Sequence, residues 1–319
     1  MIKRFEDLKI GRFEKLIINL IILNLLILES ATVFGAGTTT AEFLKIGVNA
    51  RAVAMGGALT SISDDVNSIY WNPGGLAQQK NMELAFTHNI WLQNVTYDYI
   101  AFIYPLGEGA IASSISYLST GKIQGYDLYG IKTNEFTNYD IVGSIAYSHK
   151  LTEPITGNPI FVGLSLKNIY QKLDDDSSLA VAADIGGIYK LEDLSIGVVL
   201  QNLGTTMKFV NESFQLPMNI KVGAGYRLLN DSLTLAIDVN FPRGSNTNIA
   251  TGGEYKYQFG DYVLAGRIGY NTGASKELGN LAGISAGIGF GFKGIGLDYA
   301  WIPFGDLGQA HQISLSYKF

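Results

Sequence analysis

Arg51, Asp64 and Asp65 lie close together in the chain. A guanidinium binds carboxylates through two parallel N–H···O bonds, so this grouping suits a buried charge network. Such a network serves either as a latch that moves or as a static anchor. Asp64 is also placed to cap a helix beginning at Val66. The three histidines, His88, His149 and His311, are far apart in sequence. A metal site wants clustered ligands, so none is expected. Asp174-Asp175-Asp176 offers the oxygen ligands a hard cation prefers, but it lacks an EF-hand frame and reads as a solvated turn. There is no Gly-x-Ser-x-Gly elbow, no histidine beside a nucleophile and no phosphate-cradling glycine motif ahead of a helix. No catalytic residue, metal or cofactor is therefore expected.

The elements that must position these residues are strands. A two-residue rhythm of apolar and small or polar side chains runs from about Met82 to the last residue. Ile313, Leu315, Tyr317 and Phe319 alternate with Gln312, Ser314, Ser316 and Lys318. Successive side chains on a strand point to opposite faces, so each segment has one greasy and one polar face. Fourteen segments carry the pattern: 82–91, 95–106, 110–119, 139–151, 160–172, 179–191, 194–202, 216–228, 232–241, 248–259, 262–270, 281–292, 294–302 and 311–319. The fold class is thus an all-β membrane protein, a 14-stranded antiparallel transmembrane β-barrel with its apolar face in lipid. Lys221, Arg227, Asp238, Arg267 and Asp298 fall on the small-residue face and must point inward, because a charge at mid-bilayer costs roughly 2–4 kcal/mol. The segment 95–106 is oily on both faces, and its register stays open.

Composition agrees. Charged residues are only 16% of the chain, against roughly 25% in a soluble domain, as a protein with a large surface away from water requires. A net charge of −5 provides no basic field for nucleic acid. Without cysteine there is no disulfide framework. Lys3, Arg4, Lys9, Arg12 and Lys15, followed by the apolar stretch 16–28 and the small-residue site Val33-Phe34-Gly35, read as a secretory signal peptide over 1–35. An uncleaved anchor is the alternative. The connections 120–138, 203–215 and 271–280 are long and polar, whereas 191–193 and 230–231 are tight, as expected for the outer and periplasmic sides of such a barrel. Trp91, Trp301 and Phe319 lie at strand ends and suit an aromatic girdle.

Residues 36–81 carry no strand pattern. Short helical turns are expected over 42–46 and 50–55, the second broken by Gly56-Gly57. Ser63-Asp64-Asp65 signals a further helix start, with Val66, Ile69 and Tyr70 at helical spacing, and Asn72-Pro73-Gly74-Gly75 ends it. The motifs Ala50-Arg51-Ala52, Met55-Gly56-Gly57-Ala58, Asp64-Asp65 and Tyr70-Trp71-Asn72-Pro73-Gly74-Gly75-Leu76, with the ending GQAHQISLSYKF, strongly resemble the PorV/PorQ family of outer-membrane proteins, itself similar to FadL-type transporters. The family usually has Ala where Gly74 stands.

The resemblance implies that residues 36–81 form a partly helical plug inside a barrel spanning 82–319. Inward glycines such as Gly223, Gly225, Gly283, Gly287, Gly289, Gly294 and Gly296 leave room for plug backbone. Arg51, Asp64, Asp65, Asn72 and Pro73 are the candidate latch, the last two forming a turn like that of FadL-type plugs. Ile62, Ile69, Tyr70, Trp71 and Leu76 are candidate contacts for a hydrophobic ligand. Two functions are implied for a protein in the outer membrane of a Gram-negative-type bacterium. One is a type IX secretion component that binds cargo signal domains and the translocon. The other is a FadL-like transporter of hydrophobic molecules such as long-chain fatty acids. The implied partners are outer-membrane lipid and the barrel assembly machinery, which would act on the C-terminal strand 311–319.

Overall fold

The computed structural model describes residues 39–152 and 156–319; the expected signal peptide 1–35 and plug residues 36–38 lie outside them. The strands are β1 Glu83–Ile90, β2 Thr96–Leu106, β3 Gly109–Ser119, β4 Ile123–Tyr126, β5 Lys132–Phe136, β6 Tyr139–Thr152, β7 Pro159–Leu173, β8 Asp176–Leu191 and β9 Leu194–Gly204. They continue as β10 Met207–Phe209, β11 Glu212–Phe214, β12 Asn219–Leu228, β13 Leu233–Pro242, β14 Asn248–Phe259, β15 Tyr262–Asn271, β16 Ile284–Phe292, β17 Ile295–Pro303 and β18 Gln309–Lys318. Among the described residues, fourteen of these close into one antiparallel barrel. The ring is sealed by β1 against β18, with Glu83 opposite Lys318 and Ile90 opposite His311. Closure leaves no unpaired edge, the condition for exposing a sheet to hydrocarbon. No described helix is long and apolar enough to cross a membrane.

The alternation sorts side chains as the sequence predicts. Leu235 and Ile237 are exposed outward while Ala236 and Asp238 are buried inward. The segment β2 is now assigned: Tyr97, Tyr99, Ala101 and Ile103 face the lumen, where they are nearly fully buried, and Ile100, Phe102 and Tyr104 face out. It is oily on both sides because its inner face packs on the plug. Two charges near the loop end, Lys172 and Asp98, depart from the inward rule. Asp98 sits on the outer face, opposite His88 in the register, and its Oδ1 lies 2.7 Å from His88 Nδ1.

All the long connections leave one end of the barrel. This loop end carries 120–138, which folds into the β4–β5 hairpin, 205–218, which contains β10–β11, and 272–283, which contains the short helix Thr272–Leu278. None of these three elements was legible as strand or helix in the sequence. The opposite end, where β1 begins and β18 stops, carries tight turns at 192–193, 260–261 and 293–294, with Glu192 and Gly294 in the left-handed region. Aromatic rings band both ends. At the loop end Tyr117, Tyr139 and Tyr170 follow one another at 6.1 and 5.9 Å. At the turn end Phe259, Tyr262 and Phe292 lie at 5.2 and 4.6 Å, and Tyr317 meets Phe319 at 4.7 Å. Rings with an apolar body and a wet edge favour these two levels.

The lumen holds the N-terminal segment. It enters at the loop end, where Thr40 N donates to Gln215 O. It then makes a 3-10 turn over Glu42–Lys45, helix α1 (Ala50–Ala54), helix α2 (Ser68–Trp71) and a 3-10 turn over Pro73–Gln78, and leaves into β1. Helix α1 is capped by Asn49, whose side chain accepts from Ala52 N, and is ended by Gly56 and Gly57 at φ 67° and 80°. The expected helix start at Ser63–Asp65 is displaced: α2 begins at Ser68. Asp65 instead accepts from Asn67 N in a local turn, and Val66 N donates to Glu83. Asp64 is therefore not a cap.

Candidate functional site

Arg51 projects from α1 into the barrel wall. Its Nε and Nη2 each lie 3.0 Å from the two oxygens of Glu254 on β14, a bidentate pair. Its Nη1 reaches Asp64 Oδ1 at 2.6 Å and Asp65 Oδ2 at 3.4 Å. The second Asp64 oxygen takes Arg227 of β12 at 3.1 Å. Glu254, fully buried, also takes Arg267 of β15 at 2.6 Å and Lys256 at 3.0 Å, and Arg267 continues to Asp298 of β17 at 2.6 Å. Four cations thus meet four carboxylates: Arg51, Arg227, Lys256 and Arg267 against Asp64, Asp65, Glu254 and Asp298. Burial works against the Arg51 charge, yet Asp64, Glu254 and Asp65 raise its pKa well above the ordinary value. Burial likewise opposes ionisation of Asp64, but Arg51, with Lys256 and Arg227, outweighs it and holds the carboxyl well below the usual range. The network ties two plug segments to four strands, β12, β14, β15 and β17. The sequence located its plug half; Glu254 and Lys256 carried no signal, since a strand charge reveals its partner only once the register is known.

The Asn72-Pro73 turn is the second anchor. Asn72, fully buried, donates from Nδ2 to Thr60 O at 2.7 Å and to Gly187 O at 3.2 Å, and its Oδ1 accepts from Gly74 N at 3.1 Å. The wall beneath is made of glycine. A Cβ on Gly163 of β7 would overlap the Pro73 carbonyl, and one on Gly186 of β8 would overlap Asn72 Oδ1. Farther round the wall, Gly252 and Gly269 give way in the same manner to Met55 and Gly56. Of the glycines singled out from sequence, Gly223, Gly225 and Gly287 do face Thr60, Ile62 and Ala54 of the plug. The others serve differently. Gly289 makes room for Arg267 and Asp298, Gly296 faces Ser316, Gly294 forms a turn and Gly283 lies in the 280–283 connection. Gly163, Gly186, Gly252 and Gly269 went unnoticed because each sits in a strand where glycine alternates with ordinary apolar residues.

A buried pair absent from the sequence reading lies nearby. Lys167 Nζ is 2.6 Å from Asp184 Oδ2 and 2.8 Å from Asn202 Oδ1. The pairing of β8 with β9 slips between Ala183 and Ile185, Asn202 takes φ 57°, and its N–H donates to Asp184 Oδ1 at 2.7 Å. A β-bulge leaves backbone groups to be satisfied by side chains, which is what Asp184 does here.

Above the plug, at the loop end, is a cavity of about 530 Å³. Tyr70 and Trp71 line it; Ile62, Ile69 and Leu76 do not and are packed in the plug core. The expected ligand contacts thus reduce to two. Tyr70 Oη donates to the carbonyls of Leu44 and Ile46 at 3.0 Å; burial, with Tyr97, Asp184 and Tyr99 nearby, keeps its phenol protonated by raising its pKa well above 10. Trp71 Nε1 donates to Val48 O at 3.1 Å. Trp91 also lines the cavity, edge-on to Phe304 at 4.7 Å, so it faces the mouth rather than forming part of the outer girdle. Trp301 is on the outer surface, its Nε1 donating to Gln309 Oε1 at 2.7 Å, and Phe319 is exposed at the turn end.

The fold is a closed fourteen-strand antiparallel barrel that holds its N-terminal segment in the lumen. The fold is similar to that of the CymD monoaromatic hydrocarbon channel, with TM-score 0.59 and 13% identity over 86% of this chain and 98% of that one. It is also similar to the Ralstonia pickettii toluene transporter TbuX, with TM-score 0.53 and 14% identity over 86% and 98% of the two chains. A Pseudomonas aeruginosa FadL homologue matches with TM-score 0.51 and 11% identity over 90% and 100%. No curated protein sequence matches the chain. The profile of the type IX secretion system protein PorV matches residues 31–244. The chain belongs to the PorV family.

Proposed function

We propose that this protein is a type IX secretion component of a Gram-negative-type outer membrane, and that it engages protein partners, cargo signal domains and the translocon, through its loop end. The observation that carries this reading is the β4–β5 hairpin. At its tip Leu128 and Tyr129 are 101% and 88% exposed, and Tyr126 and Ile131 are exposed beside them. The tip is nonetheless ordered: Asp127 Oδ1 accepts from Tyr129 N at 2.9 Å and Ile131 N at 2.8 Å, and Gly130 at φ 75° closes the turn. A pre-shaped apolar cluster standing clear of its own protein is what a protein interface uses as an anchor. The rival, a transporter of hydrophobic small molecules such as fatty acids, needs a continuous apolar passage, whereas the cavity above the plug interrupts its apolar lining with eight amides and three lysines. The barrel assembly machinery would act on β18, which ends in exposed Tyr317 and Phe319.

The test is gentle detergent extraction of the tagged full-length protein from its host, followed by mass spectrometry of what co-purifies. The double substitution Leu128→Ser, Tyr129→Ser is expected to leave the barrel amount unchanged and to lose a translocon subunit or cargo carrying the C-terminal signal. Equal recovery of such partners with the variant rejects the assigned contact, and recovery of lipid alone rejects the secretion reading.

A further inference from the structure

The lipid-facing wall has a notch on β15. The outward positions Tyr262, Leu264, Ile268 and Tyr270 carry large apolar side chains, but Gly266 between them carries none. Gly266 takes no left-handed backbone, and a Cβ there would meet nothing within 4 Å. Neither a turn nor packing inside the barrel therefore calls for glycine here. Glycine inside a strand weakens it and often marks the close approach of a ligand or another backbone. The missing side chain opens a groove of about 430 Å³ on the outer surface. Its walls are Tyr255 and Ile288, the register partners of Gly266, and it continues toward the turn end past Leu264, Phe290 and Leu297.

The groove lies in hydrocarbon. From Tyr262, where β15 begins, to Gly266 is about 13 Å along a strand rising about 3.3 Å per residue. A strand tilt near 40° makes that about 10 Å of depth, within the turn-end half of an apolar band about 25 Å tall. Whatever fills the notch is apolar, and an unfilled notch forfeits dispersion contacts along its whole lining. The turn below it adds a charge. Lys293 is the one cation at the tips of the described two-residue turns 107–108, 192–193, 260–261 and 293–294. It stands at φ 45°, a conformation that hairpin turns ordinarily give to Asn, Asp or Gly. Its Nζ is 5.3 Å from the centre of the Phe292 ring and 3.7 Å from Asp261 Oδ2, and the two charged side chains are 65% and 64% exposed. The stacked rings of Phe259, Tyr262 and Phe292 mark the boundary between this charge and the groove. A wet cation at the membrane boundary, joined to an apolar groove that runs into the bilayer, is the complement of an amphiphile with an anionic head and a hydrocarbon tail. We infer that this face holds a phospholipid of the turn-end leaflet, one acyl chain seated against Gly266 and its phosphate at Lys293. The site shares no residue with the plug or the β4–β5 hairpin and stands whether or not the secretion reading holds.

The experiment is native mass spectrometry of the full-length barrel released from mild detergent, with palmitoyl-oleoyl phosphatidylethanolamine or the matching diacylglycerol added. Wild type is expected to retain one phosphatidylethanolamine and to hold it at least about tenfold more tightly than the diacylglycerol. Gly266→Leu fills the notch and should weaken retention at least about tenfold. Lys293→Gln should bring phosphatidylethanolamine down to the level of the diacylglycerol. Gly143→Leu, at an outward glycine of β6 that does not line the groove, should change nothing. A heat-modifiable gel band for each variant shows that the barrel has formed. Unchanged retention in Gly266→Leu, an equal loss in Gly143→Leu, or equal retention of diacylglycerol by wild type would each overturn the inference. A photo-crosslinker at Leu297 in cells should capture lipid; capture of a protein there makes the groove a protein interface and rejects the lipid.

Discussion

Removing Arg51 should release the plug without opening the barrel. The guanidinium is the one plug cation in the network and answers three carboxylates, two of them on the plug itself. Breaking a buried ion pair from one side costs about 3–5 kcal/mol, because the other side is left charged and dehydrated. In Arg51→Met the lower end applies, since Glu254 keeps Arg267 and Lys256, and Asp64 keeps Arg227. A loss of about 3 kcal/mol corresponds to somewhat more than a hundredfold in an opening equilibrium. Hydrogen exchange on the detergent-solubilised protein reads this directly, because plug and barrel amides report separate openings. Amides of α1, α2 and the 57–67 link should exchange about a hundredfold faster, while those of β14 and β15 stay within a few-fold of wild type. Arg51→Lys keeps the charge but not the two-pronged geometry and should fall between. Plug protection within threefold of wild type in Arg51→Met would mean that glycine-lined packing, and not the ion pairs, retains the plug.

The same linkage has a sign in pH. Asp64 ionises more readily folded than unfolded, so its contribution is complete above the ordinary carboxylate pKa of roughly 4 and shrinks as pH falls toward its depressed folded value. The part of plug protection that Asp64→Asn removes, read as the difference between wild type and variant and corrected for the intrinsic pH dependence of exchange, should be constant from pH 7 to 5 and shrink below about 4; a loss already between 7 and 5 would contradict this. The wall glycines offer an internal control. Gly163→Ala places a methyl on the Pro73 carbonyl and should cost about 1–3 kcal/mol of plug stability, whereas Gly143→Ala, whose Cβ meets nothing within 4 Å, should be neutral. Melting of the two variants side by side decides it, equal melting points being the contrary result.

The strands and their faces were fixed by local physics. A period of two with the apolar set outside has one closed solution in lipid, so fourteen strands, their approximate limits and the inward charges could be read residue by residue. The plug turns at Asn49, Gly56-Gly57 and Asn72-Pro73 were legible for the same reason, since caps and breakers act within a few positions. What only the tertiary structure decided depends on register and on chain entry into the lumen. It placed Glu254 under Arg51, Gly163 and Gly186 under Asn72-Pro73, and Lys221 over Trp71, pairs separated by 90 to 203 residues. It moved the start of α2 from Ser63 to Ser68, because Asp64 and Asp65 pair with Arg51 of the plug, and Asp64 also with Arg227 of the wall, in place of a local cap. A contact between plug and wall is set by how far each strand slides past its neighbour, and no single strand carries that information.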